Sequence, residues 1–301
     1  MPLEAIVPAS SANLGPGFDC LGLAVGVHLR VTATPAERDA FVDEDGLLDP
    51  GPDDLIHQGF RRAFEAAGAT APPVHLSIRN AIPLARGLGS SSAALVAGAL
   101  LGDAANGGTL GRDGVFALAA DLEGHPDNVA PAVYGGLVLA AEEGGGWTRR
   151  ALPWPSAWRI AFGVPPFEVP TTAARDVLSP VVHRADAVGT AARLAFWPVA
   201  VYTEDAELLR VASRDAIHEP QRRALVPGLD AAREAALDAG AYAAFLSGAG
   251  PTLAVVTDDA TAPAVHAVLA DYAGPDGTVL TPEVGGAARV SGRFDGVPAT
   301  P

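Results

Sequence analysis

The sequence predicts an α+β fold in two domains. Three observations carry that expectation. Strand-like and helix-like stretches interleave along the 301 residues without the strict βαβ regularity of a parallel sheet. A chain of this length, 49% hydrophobic and 18% charged, can bury a sizeable core and divide it in two. Residues 144–158 then concentrate three glycines and two prolines beside tryptophans, which makes them the best boundary between residues 1–150 and 151–301.

Taken in order, residues 3–7 read as a short strand ending at Pro8, and residues 10–17 as a loop of small polar residues and glycine. Residues 21–33 alternate as a second strand, with Gly22 and Gly26 as bends. Residues 45–54, dense in Pro, Gly and Asp, read as a surface loop. Helical spacing begins at Leu55, Ile56, Gly59, Phe60, Ala63 and Phe64, behind Asp53 or Asp54 as N-cap. Residues 74–78 alternate as a half-buried strand. A helix over 90–101, a Gly/Asn break at 106–108 and a helix over 112–122 follow. Residues 123–131 read as a loop and 135–141 as a strand.

Beyond the boundary, residues 159–164 are strand-like, and Thr171 or Thr172 caps a helix over 173–178. Alanine-rich helical patterns occupy 186–197, 205–214 and 229–239. Strands at 243–247 and 253–257, a helix near 262–272, and strands near 278–281 and 287–291 close the chain.

Composition narrows the function. The net charge is −15, and all 20 basic residues are arginine, with no lysine. So acidic a chain without a basic run is a poor binder of nucleic acid. No apolar run reaches the ~18 residues of a membrane helix, so no membrane partner is expected. The Met-Pro-Leu-Glu start lacks the basic and apolar regions of an export signal. One cysteine, Cys20, excludes an intrachain disulfide and fits a reducing cytoplasm.

The chemistry gathers at Asn80-Ala-Ile-Pro-Leu-Ala-Arg-Gly-Leu-Gly-Ser-Ser-Ser-Ala-Ala94, between a strand and a helix. Gly87 and Gly89 let the backbone approach a ligand closely, and the helix start offers unpaired N–H groups and a positive dipole end. That combination is a phosphate cradle, with the serine hydroxyls available as caps, donors or metal ligands. On these residues alone, a Gly/Ser turn capping a buried helix is an equal reading.

Two further stretches shift the balance, Pro8-Ala-Ser-Ser-Ala-Asn-Leu-Gly-Pro-Gly-Phe-Asp19 and Leu246-Ser-Gly-Ala-Gly-Pro-Thr252. With the central loop they resemble the three signature motifs of the GHMP small-molecule kinases. Their detail, with Glu123-Gly-His-Pro-Asp-Asn-Val-Ala-Pro131, resembles the homoserine kinase family among these, over residues 3 to about 292. The resemblance implies a two-domain GHMP-kinase fold, with an ATP-binding N-terminal domain like that of a ribosomal protein and a ferredoxin-like C-terminal domain. It implies phosphorylation of the side-chain hydroxyl of L-homoserine by ATP with Mg²⁺, toward threonine. Another kinase of the superfamily and a catalytically inactive ligand-binding relative are the rival readings. Without lysine, no mechanism can use one to lower a hydroxyl's pKa, which disfavours the mevalonate kinase branch. The oligomeric state stays open, with a homodimer among the expectations.

The resemblance also implies roles, residue by residue. Pro83, Leu84, Ala85, Arg86, Gly87, Leu88, Gly89, Ser90, Ser91, Ser92 and Ala93 form the phosphate cradle. Ser91 and Glu123 hold the metal, and Asn128, Glu123, Thr171 and Arg175 serve catalysis. Asn13, Asp19, His125, Asp127, Arg175, Arg222 and Gly250 meet the acceptor. Asn13 and Asp19 suit its ammonium, and arginine, in the contexts of Arg175 and Arg222, suits its carboxylate. Asn128 stands where related kinases carry an aspartate base, and an amide takes no proton at neutral pH. Asp127 is either a second candidate base or a turn residue after Pro126. Each has a plainer reading as well: turn formers for Asn13 and Asp19, a helix-end surface acid for Glu123, solvated surface cations for the arginines. Gln221 in His218-Glu-Pro-Gln-Arg222 replaces the family's usual tyrosine and is expected to alter the pocket wall.

Overall fold

The structure is a computed structural model that describes residues 2–43, 51 and 54–294. The first element, β1 (Leu3–Asn13), forms a long antiparallel hairpin with β2 (Gly17–Pro35). The strand therefore runs past Pro8 instead of ending there. The pairing slips between Pro8, opposite His28, and Ala9, opposite Val25. Such a bulge tolerates a residue with no N–H to donate. The expected loop over 10–17 shrinks to the turn between Asn13 and Gly17.

After β3 (Ala40–Asp43), helix α1 (Leu55–Ala66) is capped by Asp54, whose carboxylate accepts from the Ile56 and His57 amides. Asp53 and most of the expected 45–54 loop lie outside the described residues. Strand β4 (Val74–Asn80) pairs antiparallel with β2 and parallel with β3. Helix α2 (Ser90–Ala105) then runs against α1 so closely that a Cβ on Gly98 would lie 1.9 Å from the Ile56 carbonyl. The starts of both helices line the cavity described below, through Leu55 and Ile56 of α1 and Ser90, Ser91 and Ala94 of α2.

Helices α3 (Gly111–Glu123) and α4 (Val129–Tyr134) follow, so the expected loop over 123–131 turns helical at Val129. Strand β5 (Leu137–Glu143) pairs with β2 and, through Gly144 and Gly145 at φ 62° and 79°, with β6 (Gly146–Leu152). The 144–158 stretch thus contains a hairpin. Its Gly-Gly pair supplies the positive φ that a two-residue turn needs.

A second, antiparallel sheet has the order β10 (Thr278–Leu280), β7 (Arg159–Val164), β9 (Leu253–Thr257), β8 (Ala243–Leu246). Its alternation divides two cores. Ile160, Phe162, Ala254, Val256, Ala243 and Phe245 face the main core, which also holds the first sheet. Ala161, Leu253, Val255, Ala244 and Leu246 face a smaller core. Successive side chains point to opposite faces, so strands covered on both sides read as unbroken apolar runs.

The helices here are α5 (Thr171–Asp176), α6 (Arg184–Thr203), α7 (Ala206–Ala212), α8 (Glu219–Arg222), α9 (Leu229–Asp238) and α10 (Ala262–Ala273). α5 begins at Thr171 behind Pro170, with no threonine side-chain cap. Strand β11 (Arg289–Ser291) returns to pair with β1, which gives the first sheet seven strands among the described residues. The chain is α+β, as its sequence predicts. No helix of the described residues is long and apolar enough to cross a membrane.

Candidate active site

Segments far apart in sequence meet around a cavity of about 330 Å³. On one side lies the glycine loop between β4 and α2. Gly87 and Gly89 have φ of 74° and 69°, and a Cβ on either would lie 2.1 Å from the Ser247 carbonyl or 2.2 Å from Ser10 Oγ. The loop is therefore pressed against both neighbouring motifs. Ser247 Oγ donates to the Gly87 carbonyl at 2.7 Å, and the Ser10 amide donates to the Leu88 carbonyl at 3.1 Å.

The first intrahelical bond at the start of α2 runs from the Ala93 amide to the Gly89 carbonyl. The preceding amides of Ser90, Ser91 and Ser92 consequently have no intrahelical acceptor, at the positive end of a 16-residue helix. Such a terminus suits an anion. Gly89 is the N-cap and no side chain caps the helix. The serines turn to Glu123 instead: Ser91 Oγ and Ser92 Oγ donate to its Oε1 at 2.7 and 2.8 Å. Glu123 Oε2 has no protein partner among the described residues, so this corner offers a carboxylate and a hydroxyl oxygen, the donors a hard cation takes.

Arg86 behaves differently from the rest of its loop. Its guanidinium donates to the Pro165, Leu84 and Pro166 carbonyls and pairs with Glu168 at 3.2 Å. It ties the glycine loop to the segment after β7.

The opposite side gathers an asparagine, an aspartate and two arginines. Asn13 and Asp19 have φ of 71° and 55°, unusual for residues with a side chain. Asn13 Oδ1 accepts the Asp19 amide at 3.1 Å, while its Nδ2 donates to the Gly248 carbonyl at 3.1 Å. Arg175 grips Asp19 in a two-pronged pair at 3.1 and 2.7 Å. Arg222, 2% exposed, donates Nε to the Ala174 carbonyl at 3.1 Å and Nη1 to the Gly248 carbonyl at 3.0 Å.

Between the two ends lies the 125–128 turn. Asp127 is buried, and its Oδ1 accepts from His125 Nδ1 at 2.6 Å and from the Asn128 amide at 2.9 Å. Burial pulls the His125 pKa down, but the bond to Asp127 and the charges of Asp127 and Glu123 outweigh it, so this imidazole holds its proton more tightly than usual. Asn128 Oδ1 accepts from Ser10 Oγ at 2.9 Å. Nearby, burial and then the charges of Asp127 and Asp19 push the Cys20 thiol up to about 12, which leaves it un-ionised.

Of the residues expected from sequence, Asn13, Asp19, the 83–91 stretch, Glu123, His125, Asp127, Asn128, Thr171, Arg175 and Arg222 all line the cavity. Ser92 and Ala93 are buried behind its wall, and Gly248 and Ala249 line it where Gly250 does not. Gln221 lies off the wall; its Oε1 accepts the Ser179 amide at 2.6 Å. Sequence reasoning missed Phe18, Asn80, Leu55, Ile56 and Val169 on the wall. It also missed His218, which bonds Arg222 and the Gly15 carbonyl, and Asp215, which accepts the His218 amide. Only the position of His218 in the motif that carries Arg222 pointed toward it.

Residues 54–136 match the model of the GHMP kinases N terminal domain, and residues 199–274 that of the GHMP kinases C terminal domain. A homoserine kinase of Thermus thermophilus is 50% identical over 279 residues, 93% of this chain and 95% of its own. One from Synechocystis is 40% identical over 272 residues, 88% of this chain and 89% of its own. The crystal structure of homoserine kinase from Cytophaga hutchinsonii superposes with a TM-score of 0.86 at 27% identity, covering 96% of this chain and 97% of that one. L. major mevalonate kinase shares the fold alone, at 14% identity and a TM-score of 0.68, over 94% of this chain and 97% of that one.

Proposed function

Because this chain belongs to the homoserine kinase branch of the GHMP kinases, we propose that it transfers the γ-phosphoryl group of ATP to the side-chain hydroxyl of L-homoserine. One observation carries the reading. A single cavity joins an anion-binding helix start and a Ser91–Glu123 oxygen pair to an Asp19, Arg175 and Arg222 cluster suited to an amino acid.

The glycine loop and the Ser90 and Ser91 amides receive the phosphates. Glu123 and the Ser91 hydroxyl would hold Mg²⁺, which when bound supplies positive charge against the phosphate oxygens. In the free enzyme Asp19 and Arg175 satisfy each other. A zwitterionic acceptor exchanges that pair for two of its own, ammonium to Asp19 and carboxylate to the arginines. The exchange leaves Asp19 and Arg175 each with an opposite charge and gives the buried Arg222 one. Asn128, steadied by Ser10, orients the hydroxyl and Thr171 closes the wall beside it. Asp127 Oδ1 accepts two hydrogen bonds that hold the 125–128 turn, and this reading gives no single side chain the role of an essential base. The hydroxyl proton leaves to phosphate or water, and catalysis rests on positioning and charge. Single-cysteine usage supports a cytoplasmic setting.

The test is a coupled ADP-release assay across homoserine, mevalonate, shikimate and galactose. Turnover with homoserine is expected. Turnover with another alcohol and none with homoserine would replace this substrate.

A further inference from the structure

Arg222 differs from Arg175 in one respect that the acceptor would feel. Arg175 is matched by the carboxylate of Asp19 at 2.7 Å, so much of its charge is already answered. Every hydrogen-bond partner of Arg222 is uncharged: two carbonyls, and Nδ1 of His218 at 3.0 Å from its Nη1. We propose that His218 is a positioning residue, a neutral acceptor that fixes the Arg222 guanidinium while leaving its charge for the anionic end of the acceptor. The inference rests on the reaction assigned above.

The tautomer follows from the partners. His218 Nε2 lies 2.8 Å from the Gly15 carbonyl oxygen, which can only accept, so Nε2 carries the hydrogen. Nδ1 then has a lone pair and no proton, and can only accept from Arg222. The ring is fully buried and stacks on Phe18, with centroids 5.0 Å apart at 22°. Its backbone is pinned as well, because Asp215 Oδ2 accepts the Ile217, His218 and Glu219 amides at 3.0, 2.7 and 2.8 Å. Burial, with Arg222 beside it, lowers the imidazole's pKa against the opposing pull of Asp215 and keeps the ring neutral.

Nε and Nη1 of Arg222 are thus anchored to α5, to the Gly248 turn and to His218, three separate segments. Nη2 has no protein partner among the described residues, and Arg222 lines the cavity. With the plane of the fork set by three contacts, the position of Nη2 is set too. A carboxylate at 218 would hold the guanidinium equally well but cancel its charge. A neutral, ring-locked acceptor holds it without that loss.

Two variants separate this role from simple tethering of the 13–17 turn. In His218→Asn, the amide oxygen replaces Nδ1 as acceptor for Arg222, but the donor to Gly15 is lost. In His218→Gln, the amide nitrogen replaces the donor to Gly15, but the acceptor for Arg222 is lost. The proposal expects His218→Gln to raise the KM for homoserine tenfold or more, with the KM for ATP within twofold of wild type. It expects His218→Asn to keep a near wild-type KM for homoserine. A tenfold rise in His218→Asn, or a wild-type KM in His218→Gln, would overturn it. Thermal unfolding checks that each variant is folded, and if one is not, the other decides by the same criterion. Wild-type protein that releases no ADP with homoserine refutes the assigned reaction instead; the same pair is then read on whichever acceptor of the panel is used.

Discussion

Replacing Gly89 by alanine tests the glycine loop most directly, and Gly68→Ala supplies an internal control. Both glycines have nearly the same positive φ, 69° and 73°. A side chain in that conformation costs roughly 1–2 kcal/mol. Nothing lies within 4 Å of a Cβ on Gly68, so its variant reports this backbone term alone. A Cβ on Gly89 would lie 2.2 Å from Ser10 Oγ and 2.8 Å from Asn128 Oδ1, the two atoms joined by a 2.9 Å hydrogen bond. Forcing them apart adds roughly 1–3 kcal/mol of overpacking and about 1 kcal/mol for the bond. Gly89→Ala should therefore cost about 3–6 kcal/mol, and Gly68→Ala about 1–2 kcal/mol. At roughly 2 °C per kcal/mol for a chain of this size, Tm should fall by about 6–12 °C in the first and about 2–4 °C in the second. Calorimetric titration should show ATP binding at least tenfold weaker in Gly89→Ala, because the displaced loop also moves the amides at the start of α2. Gly68→Ala should bind ATP as wild type does. Equal Tm losses in the two variants, with ATP affinity unchanged in Gly89→Ala, would refute the reasoning.

Three other outcomes are expected. Asp127→Asn should lower kcat by less than about tenfold, with the loss mainly in KM, since a lost base would cost ~10² to 10⁴. The same change should lower the pKa of His125, readable by NMR, because burial is then opposed by one charge fewer. Glu123→Gln keeps an oxygen for the Ser91 and Ser92 hydroxyls but loses the charge. Its kcat should drop and recover in part at raised Mg²⁺; no recovery at any Mg²⁺ concentration would speak against a metal ligand. Burial pushes the Glu219 carboxyl up to about 7, against the pull of Arg233 and the Leu246 amide. The folded state therefore binds this proton more tightly than the unfolded one, so its contribution is full below pH 4.5 and is lost as pH rises toward 7. Across that window wild-type stability should fall relative to Glu219→Gln by up to about 1.4 kcal/mol per pH unit, as read by denaturation. A parallel pair of curves would contradict it.

What the sequence determined by itself was local. The helix starts at Leu55 and Ser90, the glycine loop, and the placing of Glu123 at a helix end all follow from spacing, turn chemistry and composition within a few residues. The two-glycine hairpin at 144–145 was equally legible in principle, yet the density of glycine and proline around it reads as a boundary. The passage of β1 through Pro8 was not legible, because the bulge that accommodates the proline belongs to the pairing with β2. The pairings that make the site were beyond local pattern altogether. Asp19 meets Arg175 across 156 positions, Ser10 meets Asn128 across 118, and His218 reaches Gly15 across 203. A motif can nominate each of these side chains, but whether Asp19 faces Arg175 or Arg222 depends on how two sheets and their loops close on one cavity. Periodicity records only which side of an element is buried; the partner across the gap is decided by packing.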